Sequence, residues 1–137
     1  MNWCKILTVE VPLFLQIINI LFLFTGRNTN PMTFRYNKIF TPDLNTWVYI
    51  SLCFVLGLIG IYYRNFNIAL YYSSPLFLLF GLIFCNQIFK TIFNRNIIIA
   101  TRWDFKSAKI NVFDRIFGFL IVIAPFLMPI IYQQIIK

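Results

Sequence analysis

Mostly apolar stretches, separated by polar segments, organise the whole chain. Three of them, 44–63, 68–89 and 116–136, contain no charged residue and are each about 20 residues long. A helix of about 20 residues is about 30 Å long, which matches the hydrocarbon core of a bilayer. Because lipid offers the backbone no hydrogen-bond partner, these runs predict transmembrane helices.

An earlier apolar stretch is less regular. The uncharged run 11–26 has 16 residues, so a full span has to begin near Ile6 and include Glu10. Only Lys5 provides a positive charge ahead of this run, and no A-x-A cleavage site follows it. We therefore expect a retained first helix over about 6–26 rather than a signal peptide.

Composition supports a membrane class. The chain is 60% hydrophobic and 12% charged, with a mean hydropathy of +0.77, whereas a soluble domain is about 45–50% apolar and about 25% charged. A soluble globular protein and a disordered one are both excluded. The polar alternation of a membrane β-barrel is absent as well. The sequence predicts an all-α integral membrane protein with four transmembrane helices in a single domain, 1–137.

The basic residues predict the orientation. Nine of the 12 lie in the loops after the first and third helices, 27–43 and 90–115. Because basic loops stay on the cytoplasmic side, we expect these two loops inside and both termini outside. This layout is typical of a multi-pass protein of a bacterial inner membrane or an organellar inner membrane. The net charge of +8 then faces anionic lipid, and we expect no nucleic-acid binding.

The segment after the third helix alternates in polarity. From 97 to 106 the chain alternates in character, and the period of two with β-branched residues predicts a short extended element within 96–113. The two alternating sets are Ile97, Ile99, Thr101, Trp103 and Phe105, and Ile98, Ala100, Arg102, Asp104 and Lys106. A helix lying in the membrane interface is the alternative. In either form, we expect a set of basic and aromatic side chains here to contact an anionic membrane surface or a partner protein. That set is Arg95, Arg102, Trp103, Phe105, Lys106 and Lys109.

Residues capable of catalysis are scarce. The chain has no histidine and four acidic residues, and its three cysteines are dispersed without a C-x-x-C pair. Asp43 and Asp114 stand at predicted helix starts, where a carboxylate stabilises the exposed amides. Asp104 lies between basic loop residues. We expect no catalytic, metal or cofactor site, and hence a protein that is not an enzyme.

Polar residues within the helices are the candidates for interaction. Glu10 either lies near the outer interface, paired with Lys5, or forms the proton-coupling carboxylate of a small transporter. Buried amides in lipid bond across helix interfaces, so we expect such contacts inside the protein or with a partner helix. The amides concerned are Gln16 and Asn19 in the first helix and Asn86 and Gln87 in the third.

Proline and glycine residues indicate packing surfaces. Pro125 and Pro129 remove two amides from the fourth helix, which leaves the carbonyls of Ile121 and Pro125 without their helical partners and predicts a kink. Small residues allow helices to approach closely. Such positions are Gly57 and Gly60 in the second helix, Gly81 in the third and Gly118 in the fourth.

These features favour a non-enzymatic function. We expect a small membrane protein that contacts another membrane component through its helices and inner loops. Two versions fit this description: an accessory subunit of a membrane complex, and an immunity-type protein that intercepts the helices of a pore-forming toxin. A proton-coupled transporter using Glu10 is the alternative.

Overall fold

Four α-helices form the fold. A computed structural model describes residue 3 and the ranges 6–24, 36–63, 69–99 and 110–135. Within these ranges there are no strands, and the helices are α1 (Val11–Phe24), α2 (Leu44–Tyr62), α3 (Ser74–Phe93) and α4 (Val112–Ile135). A π-helical turn, Ile6–Glu10, precedes α1, and 3-10 turns cover Tyr36–Ile39 and Ala69–Ser73. The predicted all-helical architecture is confirmed.

Three of the helical segments are long and apolar enough to cross a membrane. They cover Leu44–Tyr62, Tyr71–Phe93 and Val112–Tyr132, whereas Val11–Phe24 is a shorter apolar helix. Large hydrophobic side chains are exposed along α1, α2 and α4. A soluble protein rarely exposes apolar surface on this scale, and such exposure is compatible with a membrane protein.

The first helix differs from the prediction of one helix over about 6–26. Regular α-helix covers only Val11–Phe24, and the turn before it is π-helical. A π-helix bonds each carbonyl to the amide five residues ahead. The next such bond would need an N–H on Pro12, which has none, so the π-helical turn ends there.

The start of α2 agrees with the sequence. Asp43 is the N-cap, with φ −95° and ψ 179°, and its carboxylate accepts hydrogen bonds from Thr46 N at 2.8 Å and Thr46 Oγ1 at 2.6 Å. These bonds satisfy an amide that the helix itself leaves free. They also lower the pKa of Asp43, with the side-chain bond from Thr46 as the largest cause.

The bounds of α3 and α4 correct two predictions. α3 begins at Ser74 rather than 68 because Pro75 occupies its first turn, and it continues past 89 to the left-handed cap Asn94. α4 begins at Val112 rather than 116. Its first turn includes the charged residues Asp114 and Arg115, and an acidic residue at this place favours a helix start. Polarity indicated the edge of the apolar span and not the end of the helix.

α3 lies at the centre of the arrangement. It packs most extensively against α4, then against α2, and it also contacts α1. The 3-10 turn Ala69–Ser73 contacts all four helices. The buried core follows from this arrangement and combines one side of α3 with residues from the other elements, including Leu23, Tyr36, Ile99 and Ile121.

Candidate functional site

A polar cluster joins α1 to α2 through side chains. The inward side of α1 consists of Pro12, Gln16, Asn19 and Leu23, all buried, at the spacing of one helix face. Asn19 Oδ1 accepts a hydrogen bond from the hydroxyl of Tyr49 on α2. Half of the buried residues on this face of α1 are therefore amides, which is unusual for a helix interface in an apolar bundle.

Gln16 is the least satisfied member of this cluster. Its side chain is 0% exposed, and neither Oε1 nor Nε2 has a hydrogen-bond partner among the described residues. Asn19 Nδ2 has none there either. Three polar atoms of two amides, one helical turn apart, are thus buried without a hydrogen-bond partner in the described part of the chain.

Two hydroxyl groups beside the 3-10 turn Ala69–Ser73 bond to carbonyls that prolines leave free. Tyr72 donates to the carbonyl of Leu7 at 2.6 Å, five residues before Pro12. Ser74 donates to the carbonyl of Pro125 at 3.1 Å, four residues before Pro129. The sequence predicted that the carbonyl of Pro125 lacks an amide partner, and the tertiary structure supplies the hydroxyl of Ser74 instead.

An ion pair stabilises the end of the bundle where α3 finishes and α4 begins. Asp114 is 0% exposed, and its carboxylate accepts from Arg95 Nη1 at 3.0 Å and Nη2 at 2.5 Å. It also accepts from the backbone N of Asn111 at 2.8 Å, which completes the predicted role at the helix start. Hydrogen bonding to Asp114 raises the pKa of Arg95 above its ordinary value. The guanidinium lies 5.6 Å from the ring centre of Phe89.

The segment 96–99, which has no regular secondary structure, lies against this ion pair, and side chains from three elements bond to its backbone. Ile97 N donates to Asn86 Oδ1 of α3 at 3.0 Å, and Ile98 N donates to Asp114 Oδ1 of α4 at 3.0 Å. Ile99 N donates to the hydroxyl of Tyr36 at 2.9 Å. Ile97 and Ile99 are buried and Ile98 is half-buried, so the predicted alternation holds here without a partner strand.

A shallow polar cleft opens beside Arg95. It has a volume of about 420 Å³ and is lined by Lys90, Asn94, Arg95 and Asn96. Arg95 is the one member of the predicted basic and aromatic set within the described residues. The others lie outside them: Arg102, Trp103, Phe105, Lys106 and Lys109.

One side of α3 faces away from the other helices. We define the open face of α3 as Gly81, Phe84, Gln87 and Thr91, which the helical period places on one broad side. Phe84 is 67% exposed, and a Cβ built on Gly81 would meet no atom within 4 Å. Gln87 is exposed, and the hydroxyl of Thr91 bonds to its carbonyl at 3.0 Å.

At the other three predicted glycines, atoms of a neighbouring segment already occupy the space beside the glycine. A Cβ on Gly60 would lie 2.7 Å from Ser73 N, and one on Gly57 would lie 3.0 Å from Leu76 Cβ. Gly118 approaches Ile99 Cγ2, at 3.4 Å from its ideal Cβ. Gly57 and Gly60 thus admit α3 and its preceding turn, while Gly118 admits the segment 96–99 rather than a helix. Gly81 remains open.

The other predicted polar residues do not lie together in the structure. Glu10 is exposed on the π-helical turn, so its assignment to proton coupling stays a prediction. Asn86 is buried and bonds to the segment 96–99, whereas its neighbour Gln87 is exposed. Both prolines of α4 are buried. The sequence placed Asn86 and Gln87 together, but the helical turn directs their side chains to different sides of α3.

Sequence reasoning missed the hydroxyl groups of this site. Tyr36, Tyr49, Tyr72 and Ser74 each bond to a residue in a different element. For Tyr72 and Ser74, the sequence did carry a signal, the missing proline amide. Pro12 and Pro129 each imply a carbonyl that needs a hydrogen-bond donor from another element. No periodicity identifies which hydroxyl provides it.

The described residues contain no group of three or more histidine, cysteine or acidic side chains that could hold a metal ion. Within that part of the chain, the polar side chains described above form hydrogen bonds to the backbone of other segments and connect one helix to another. No protein-family model, curated protein or solved structure matches the chain.

Proposed function

We propose that this protein is a non-enzymatic membrane protein that binds a transmembrane helix of another membrane component on the open face of α3. The component is either a larger membrane complex, of which this chain is an accessory subunit, or a pore-forming toxin, against which it acts as an immunity-type protein. The membrane is a bacterial inner membrane or an organellar inner membrane, with the basic loops on the inner side.

The unfilled space at Gly81 is the observation that carries this proposal. Gly57, Gly60 and Gly118 each accommodate a neighbouring segment, while a Cβ at Gly81 would have no atom within 4 Å. Glycine in the middle of a span lets a second helix approach closely and pack its side chains by van der Waals contact. The position of α3 at the centre of the fold makes this face rigid, since its opposite side is packed against α4 and α2.

Gln87 supports the same assignment. Its amide is exposed on the open face, six residues after Gly81. An amide in an apolar surrounding favours a hydrogen bond to a partner helix, at about 0.6 kcal/mol on average. The glycine notch thus supplies close packing and the amide supplies orientation.

The test compares two leucine substitutions. Gly81→Leu fills the notch, whereas Val55→Leu enlarges an exposed side chain of α2 by one methylene. We expect a membrane partner to co-purify in mild detergent with the wild type and with Val55→Leu, and to be lost with Gly81→Leu. Thermal unfolding of the two variants should remain close to that of the wild type, because Gly81 has free space beside it.

The contrary results are specific. Retention of the same partner by Gly81→Leu would place the contact elsewhere. Purification of the wild type alone, as a stable homo-oligomer in every mild detergent, would refute partner binding. For the immunity version, cells that express Gly81→Leu should lose protection against the toxin while the variant remains in the membrane.

A further inference from the structure

We infer that Gln16 and Asn19 form a binding site for internal water between α1 and α2, within the apolar part of the protein. This site is independent of the open face of α3. The observation behind it is the set of three buried polar atoms, Gln16 Oε1, Gln16 Nε2 and Asn19 Nδ2, which have no partner among the described residues.

Burial makes an occupant necessary. Gln16 is 0% exposed and Asn19 is 7% exposed, so neither amide reaches the surroundings of the protein. Buried polar groups in folded proteins are bonded either to protein or to ordered water, because a bare amide in an apolar medium loses its hydration without compensation. Rotating either amide exchanges its donor and acceptor without supplying a new partner.

The chemistry of the donors and acceptors selects the ligand. The site offers one carbonyl acceptor and two amide donors, and neither α1 nor α2 contains a charged residue. A cation would need several acceptors, and an anion would need a compensating charge. Water donates and accepts, and it typically makes about three hydrogen bonds in a protein interior. Neutral water matches the site.

Side chains rather than close backbone contact join α1 and α2 here. Asn19 bonds to the hydroxyl of Tyr49, and the ring of Phe22 lies 6.1 Å from the ring of Tyr49 between their centres. Cys53 lies one helical turn after Tyr49 on the same side of α2 and is 2% exposed. Of the two described cysteines, it is the one next to this site.

Radiolytic labelling of the two described cysteines tests the inference in the intact protein. X-ray pulses convert bound water to hydroxyl radicals, which oxidise the nearest thiol. Accessibility alone would favour Cys85, which is half-buried, over the buried Cys53. We expect the opposite order in the wild type, with Cys53 oxidised more than Cys85. A higher yield at Cys85 would overturn the inference.

Substitution of the amides provides the second comparison. Gln16→Leu removes the polar atoms of the side chain without adding a sulfur that would itself consume hydroxyl radicals, and we expect the yield at Cys53 to fall below that at Cys85. The matched control, Gln87→Leu, alters an exposed amide and should leave the order unchanged. Unaltered labelling of Cys53 in a folded Gln16→Leu protein, checked by circular dichroism, would overturn the inference. Asn19→Leu gives an independent repeat.

Discussion

Single hydroxyl groups complete the backbone hydrogen bonding of this protein. Each proline within a helix removes one backbone donor, and the matching carbonyl then needs a hydrogen bond from another residue. Tyr72 and Ser74 supply that donor to α1's preceding turn and to α4, respectively. Residues separated by about a third to half of the chain are thus joined by one atom each.

Removal of the Ser74 hydroxyl should destabilise the protein. In Ser74→Ala the carbonyl of Pro125 loses its donor in a buried position, and an unsatisfied buried group costs about 1–3 kcal/mol. Ser51→Ala is the control, since the hydroxyl of Ser51 is exposed and bonds to Trp47 O of its own helix. Unfolding in mixed micelles measures both variants, and equal effects would contradict the assigned role of Ser74.

Asp43 should make the start of α2 sensitive to acid. Its folded-state pKa lies below the ordinary value of 3.8, mainly through the side-chain hydrogen bond from Thr46. A lowered pKa means that the cap contributes stability above the unfolded pKa and loses it as pH falls through the folded pKa. After correction for the intrinsic pH dependence of exchange, the protection of the Thr46 amide should therefore fall below pH 3.8.

Asp43→Asn tests whether ionisation is the cause of that acid sensitivity. Asparagine also caps helices but carries no proton that titrates in this range. In Asp43→Asn, the protection of the Thr46 amide should vary less with pH than in the wild type. An identical acid response in the two proteins would show that another group is responsible.

At the scale of elements, glycines decide where α2 meets its neighbours. Gly57 and Gly60 are one turn apart and face Leu76 and Ser73, respectively. A side chain at either position meets atoms closer than ordinary van der Waals contact. The contact of α2 with α3 and the turn before it depends on these two missing side chains.

Gly60→Ala should be destabilising and Gly81→Ala should not. At Gly60 the new Cβ meets backbone, 2.7 Å from Ser73 N, and overpacking of this kind costs about 1–3 kcal/mol. At Gly81 the Cβ meets no atom within 4 Å, and alanine is the better helix former by up to about 1 kcal/mol. Unfolding of both variants in one detergent checks the sign of each effect.

At the scale of the whole molecule, the segment 96–99 connects elements that are distant in sequence. Its three consecutive amides bond to Asn86, Asp114 and Tyr36. The buried carboxylate of Asp114 joins α4 to this segment and to Arg95. At this end of the bundle, polar side chains thus satisfy backbone amides that a neighbouring strand would satisfy in a sheet.

Tyr36→Phe should remove the hydrogen-bond partner of one of these three amides. The substitution removes the hydroxyl that accepts from Ile99 N, leaves this buried amide without that partner, and should cost about 1–3 kcal/mol. Hydrogen exchange of Ile99 should accelerate, while Ile97 and Ile98 keep their partners and their protection. Equal acceleration at all three amides would indicate that the segment opens as a unit instead.

The pattern of apolar runs by itself determined that the protein is all-helical with four helices, because span length and backbone hydrogen bonding allow few other structures. The N-cap at Asp43 could also be predicted from the sequence, since it depends only on residues three positions apart. Helix ends were read less well. Polar residues such as Lys90 continue a helix as readily as apolar ones, so the edges of apolar runs misplaced the ends of α3 and the start of α4.

Tertiary structure alone decided which polar and small residues meet. The side chains of Asn86 and Gln87, adjacent in sequence, go to different sides of α3, and Gly81 stays open while Gly60 is filled. The local sequence determines where the backbone lacks a hydrogen-bond donor, as at proline, and where it lacks a side chain, as at glycine. Which distant hydroxyl, carboxylate or helix fills that place depends on how the helices pack, and packing is a property of the whole chain.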